Sequence, residues 1–143
     1  MIRRIVEAIC LGSASHSAAR GDVVKALRLV NRIKQPRYNR ATAEALRADL
    51  SLVNGQQEAA VRSIQLCRDH AHEDRNSEQF LLAFCGYLEA LMKGDVDEFN
   101  RLSAFLTSQP KCFAKDVLKV VKPVSKKELA ALGVDRITSR LVH

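Results

Sequence analysis

Apolar residues along this chain recur at steps of three and four, and nowhere do they alternate with polar ones over a strand's length. Leu46, Leu50 and Val53 make one stripe, and Ala60, Ile64 and Cys67 make the next. Phe80 or Leu81, then Phe84, Leu88 and Leu91 make a third, which Leu102 and Leu106 continue. This is the period of an amphipathic helix with one buried face. Turn-forming residues punctuate the pattern at Gly21-Asp22, Gln35-Pro36, Asn54-Gly55, Glu73 to Ser77, Gly94-Asp95, Gln109-Pro110, Pro123 to Ser125 and Gly133. Between them the spacing predicts helices over 3–19, 22–35, 39–53, 56–72, 77–92, 96–108, 112–121 and 126–140. The fold class is therefore all-α.

Cap chemistry supports these boundaries. Asp95 with Glu98, and Ser125 with Glu128, have the spacing of a capping box, and Ser77 stands where it can cap the helix carrying Phe80 and Phe84. The acidic group Asp95, Asp97 and Glu98 is read as favourable charge at a helix N-terminus. It lacks the regularly spaced further oxygens of a cation loop.

Three segments echo one another, beginning at Arg20-Gly21-Asp22, Asn54-Gly55-Gln56 and Lys93-Gly94-Asp95. Gly21 to Gly55 is 34 residues and Gly55 to Gly94 is 39, which places the extra residues of the second step in the loop around His70 to Asn76. A glycine suits the left-handed end of one helix, and Asp or Gln opens the next. Five residues after the glycine, the small Ala26 and Ala60 allow close packing of the pair, and Phe99 breaks the pattern.

A 34-residue period with Gly-Asp-x-x-x-Ala at the turn resembles the tetratricopeptide repeat over about residues 7–110. Ala14 and Ala48, seven before the turn glycine, fit that family; Tyr87 does not, although Gly86 lies one place away. Twelve after the glycine only Cys67 is small, against Ile33 and Leu106, and Pro36 and Pro110 are displaced from the family's proline. The resemblance implies one domain over 1–143, with repeats near 7–38, 41–74 and 77–110 stacked as antiparallel hairpins in a right-handed superhelix. Residues 111–143 match no repeat and are expected to form a helical cap covering an apolar face. The resemblance further implies a groove lined by Thr42, Ala45, Asp49, Leu81, Phe84 and Leu88, mainly apolar, that accepts a partner's peptide or amphipathic helix. The Lys, Asn and Arg pattern with which one subclass grips a terminal carboxylate is absent.

Composition adds charge to this picture. The net charge is +7, distributed as ten Lys/Arg against four Asp/Glu in residues 1–50, five against nine in 51–110, and eight against three in 111–143. Arg28, Arg32, Lys34, Arg37 and Arg40 form one basic cluster, and Lys115, Lys119 and Lys122, followed by Lys126 and Lys127, form another. These helical faces are either ordinary solvated surface or a contact for nucleic acid or another acidic partner. Only Tyr38 lies near them, so platforms for stacking single-stranded bases are lacking. The alternating blocks also suit homo-oligomerisation, basic ends against an acidic middle.

No constellation points to catalysis. Cys67 and His70 with His72 and Glu73 are too few for a metal site. Ser13, Ser15, His16 and Ser17 are close in sequence, but neighbours on a helix point apart, and the small residues suit close packing. Cys10, Cys67, Cys85 and Cys112 lack a C-x-x-C pair and are expected as reduced thiols packed in a core. Glu7 interrupts the N-terminal apolar run, which is too short to span a membrane and reads as a first helix. The sequence thus predicts a cytoplasmic, non-enzymatic, adaptor or chaperone-like module without a cofactor or metal. Its partner is most simply another protein, with nucleic acid the alternative.

Overall fold

The computed structural model of the protein describes residues 2–33 and 38–118. Among these it contains seven α-helices and no strand: α1 (Ile2–Ala19), α2 (Val23–Asn31), α3 (Arg40–Val53), α4 (Gln57–His70), α5 (Glu78–Lys93), α6 (Val96–Ser108) and α7 (Phe113–Val117). A 3₁₀ turn, Ala71–Glu73, takes up the extra length after α4. The predicted helix over 22–35 stops at Asn31; of the predicted 112–121, Phe113–Val117 form α7, and 119–121 lie outside the described residues. The predicted helix over 126–140, and with it the Ser125–Glu128 capping box, lies outside the described residues.

The three echoing segments form the same clasp. Gly21, Gly55 and Gly94 have φ of 84°, 77° and 70°, the left-handed region that a side chain disfavours. This bend brings the next backbone N–H onto a carbonyl five residues earlier: Asp22 to Ser17 at 2.9 Å, Gln56 to Ser51 at 2.8 Å, Asp95 to Ala90 at 2.9 Å. Each glycine N–H bonds the carbonyl three residues before it. The carbonyl of the same Asp or Gln then accepts the first bond of the following helix, from Ala26, Ala60 and Phe99 respectively. Orphan groups at the end of one helix and the start of the next are thus satisfied within a few residues. Asp22 and Asp95 add a side-chain cap, accepting from the N–H of Lys25 and Glu98. Glu98 does not complete the predicted capping box. The Asp95 N–H is already bonded to Ala90, and the Glu98 carboxylate pairs with Arg101.

The clasps make three hairpins, α1/α2, α3/α4 and α5/α6, and each hairpin packs on the next through α2 on α3 and α4 on α5. The first helices α1, α3 and α5 also meet in succession. Central α3 touches both neighbouring hairpins and is buried nearly all round, from Ala41 to Leu52 with only Arg47 partly exposed. Its many alanines leave room for so many neighbours. The predicted stripes are the core: Leu46, Leu50, Ala60, Ile64, Cys67, Phe84, Leu88 and Leu106 are each at most 3% exposed.

The third hairpin reaches the same architecture with different volumes. The positions seven before and five after the turn glycine are Ala14 and Ala26 in the first hairpin and Ala48 and Ala60 in the second, and all four are fully buried. In the third, both positions are aromatic, and the rings of Tyr87 and Phe99 stack with centroids 4.9 Å apart. Tyr87 also meets Phe84 at 5.6 Å, which meets Phe80 at 6.3 Å. Four of the chain's seven Phe and Tyr residues therefore form one ladder. Gly86, next to Tyr87, supplies the missing small position: a Cβ there would stand 3.0 Å from Leu102 Cδ1.

At the α4–α5 joint the buried thiols of Cys67 and Cys85 meet, and the hydrogen bond between them, together with burial, pushes Cys67 well above an ordinary thiol pKa. All four cysteines are free. Arg68 closes the rim of this joint on Glu89, with Nη1 2.9 Å from Oε2. At the α2–α3 joint Arg47 pairs with Glu44 and donates to Asn31 at 3.1 Å.

Two outcomes test this packing. Phe99→Ala and Tyr87→Ala, alone and together, should give a coupling free energy of about 1 kcal/mol in urea denaturation, because either ring loses its partner when the other is removed. Additive losses would mean that the stack contributes nothing beyond burial. The hydrogen bond from Arg68 holds Glu89 below its usual carboxylate value of 4.5. The stability this pair gives is therefore present above the unfolded pKa and is lost as pH falls through the folded one. Denaturation midpoints of the wild type and Glu89→Gln should converge on acidification from about pH 6 to about pH 3.

Candidate functional site

The α1, α3 and α5 helices form one continuous face, and the chain's own segment from Cys112 to Leu118 lies on it. α7 touches all three helices. Ala114, Val117 and Leu118 are at most 3% exposed. Two hydroxyls hold the backbone: Ser15 Oγ on α1 donates to the Val117 carbonyl at 2.5 Å, and Ser77 Oγ, before α5, accepts from the Ala114 N–H at 3.4 Å. Lys115 Nζ donates to the Thr107 and Gln109 carbonyls at the end of α6, at 2.9 and 2.5 Å, where a cation complements the helix dipole. One helical bond closes the turn itself, Leu118 N to Ala114 O at 2.8 Å. The bound element is thus a short helical turn with apolar residues at 114, 117 and 118.

This arrangement revises several sequence expectations. Thr42, Ala45, Asp49, Leu81, Phe84 and Leu88 all lie on α3 and α5, as the resemblance requires, yet each is at most 1% exposed. They do not line an open groove, because the neighbouring helices and α7 close around α3 and α5. Thr42 Oγ1 is buried without a hydrogen-bond partner among the described residues. Of the cap expected over 111–143, residues 112–118 lie across α1, α3 and α5, and 119–143 lie outside the described residues. Ser77 occupies the capping position of α5, where its carbonyl accepts from the Leu81 N–H, but its side chain does not cap the helix, since its hydroxyl is directed to α7.

The basic clusters are also divided. Arg28 and Arg32 are exposed on α2. Arg40 is taken by Glu73, whose carboxylate accepts from Nε at 3.0 Å, raises the guanidinium above its ordinary value and is itself lowered. Lys115 is held by the α6 carbonyls. Arg37, Lys119 and Lys122 lie outside the described residues. Of the first cluster the described residues thus leave Arg28 and Arg32 open and Arg40 paired, and of the second only Lys115 is described.

Of the residues weighed for chemistry, Ser15 and Ser17 are buried while Ser13 and His16 face out, so the four do not converge. Cys67 meets Cys85 rather than His70, and His70 Nδ1 lies 3.4 Å from Glu73. Among the described residues no three His, Cys, Asp or Glu side chains come together as metal ligands. No described helix is long and apolar enough to cross a membrane.

Compared with known protein families, curated proteins and solved structures, the chain matches none. The repeat is thus carried by the internal geometry of the three clasps alone.

Ser15→Ala removes the anchor of the Val117 carbonyl, an interaction worth about 1 kcal/mol. Hydrogen exchange at the Leu118 and Ala114 amides should accelerate several-fold, while exchange in α3 and α4 stays as it was. Unchanged exchange at both amides would show that the serine does not hold the segment.

Proposed function

We propose that this protein is a protein-interaction module of tetratricopeptide-like build, an adaptor or chaperone-like factor of the cytoplasm and not an enzyme. Its partner element is an amphipathic helix taken on the face of α1, α3 and α5. The observation that carries this reading is the segment 112–118 on that face. A short apolar helical turn is already bound there through backbone-directed hydroxyls that do not depend on the identity of the bound side chains. A helix from another protein presenting apolar residues in the same spacing satisfies the same contacts. Thr42, Ala45, Asp49, Leu81, Phe84 and Leu88 meet such a partner only after the chain's own segment has moved away. In this reading that segment is a built-in competitor whose tether gives it a high effective concentration.

The test uses a labelled peptide of residues 111–118 carrying Cys112→Ser, titrated into the full chain by fluorescence anisotropy. Leu118→Asp, which expels the resident segment, should bind the peptide, and the wild type should bind it about tenfold more weakly or worse. Ser15→Ala should fall between the two. Circular dichroism reports whether the variant keeps its helices. Equal binding to wild type and variant, or none to a helical Leu118→Asp, would sink the proposal.

A further inference from the structure

The first hairpin has a second face that its neighbours in the stack do not leave open. On α1, Ile2, Ile5, Val6 and Ile9 are 80%, 54%, 50% and 61% exposed, and their spacing of three and four puts them on one side, opposite the buried Leu11, Ala14 and Ala18. Apolar residues grouped this way mark an interaction surface. The stripe continues into a depression of about 560 Å³ floored by Ile9, Gly12 and Leu29 and edged by His16 and Lys25. Lys25, Arg28 and Arg32 follow one another at three and four along α2, all exposed.

The repeat shows what occupies this position elsewhere. Residues 34 after Ile9 and Gly12 are Ala43 and Leu46, both buried on α3, which α2 covers; Cys85, a further 39 along from Leu46, is buried on α5, which α4 covers. The corresponding face of α1 has no such helix among the described residues. Charge narrows the occupant. At the α4–α5 joint the rim is closed by Arg68 on Glu89, a cation on one helix against an anion on the other. On the first hairpin the rim offers only cations along α2, so the covering helix must bring the carboxylates. Phosphates alone would leave the isoleucines wet, which disfavours nucleic acid.

We infer that the outward face of α1 and α2 binds an amphipathic helix of a partner protein that carries acidic residues beside its apolar stripe. This face is separate from the one that holds residues 112–118, and the inference does not rest on the proposed function.

The experiment compares two labelled peptides on the full chain: residues 22–33, whose helix covers the matching face of α3, and the same peptide with Lys25→Glu, Arg28→Glu and Arg32→Glu. The acidic peptide should bind about tenfold more tightly or better, and the difference should shrink with added salt. Ile9→Asp in the protein, at a position too exposed to disturb folding, should weaken it by about tenfold or more. The triple Lys25→Glu, Arg28→Glu, Arg32→Glu protein should reverse the preference between the peptides. Equal binding of both peptides, or binding indifferent to Ile9→Asp, overturns the inference. So does a dimer in sedimentation that Ile9→Asp dissolves, which would give the face to a second copy. Tight binding of duplex DNA that Ile9→Asp leaves unchanged would likewise assign the basic edge to nucleic acid.

Discussion

A helix cannot stop in the middle of a packed protein without somewhere to put its last carbonyls, and the left-handed glycine clasp is the solution this chain uses three times. The clasp turns the chain back so tightly that only two or three residues separate the end of one helix from the start of the next. That fixes which faces of each pair look at each other, and hence that each hairpin has two further faces left over. Stacking buries those faces against the next pair, and a stack of such units always ends with faces that the repeat itself does not cover. The inner face of the first helices and the outward face of α1 are two such places. They differ in that one is filled by the chain's own residues 112–118 and the other carries isoleucines in contact with solvent.

The third hairpin shows how far the clasp constrains sequence. It tolerates replacement of an alanine pair by a tyrosine and a phenylalanine, because the two large residues arrive together and stack. Each substitution by itself looks like a departure from the repeat; as a pair they preserve the contact. Gly86 then provides the close approach to Leu102 that the lost alanines no longer give. The invariant element among the three units is therefore the backbone turn, not the side chains that pack beneath it.

Helix positions and core stripes were legible in the sequence because they follow from a local period and from turn residues. The glycine turns were legible for the same reason, since a positive φ is a property of one residue. What could not be read was the choice among competing partners. Ser77 has the chemistry of a helix cap, but its hydroxyl serves Ala114, thirty-seven residues away. Asp95 and Glu98 have the spacing of a reciprocal box, but the N–H that Glu98 would take is already used by the clasp. Arg40 and Lys115 count as positive charge in any sequence sum, yet each is spent on a tertiary partner. The inner-face residues sit on the helices that the repeat register assigns them, and they are closed over by the neighbouring helices together with a segment outside the repeat.

The difference between the two faces has a simple origin in chain connectivity. Residues 109–112 join α6 to α7, so the inner face faces a ligand tethered by a very short linker. Any outside helix must displace a competitor that never diffuses away, and its apparent affinity falls accordingly. The outward face of α1 has no tethered rival among the described residues. A partner there meets the full benefit of covering the isoleucine stripe, set against the entropy of association alone. On the proposed readings, occupancy of the first face would therefore depend on releasing residues 112–118, whereas occupancy of the second would depend on partner concentration and on ionic strength.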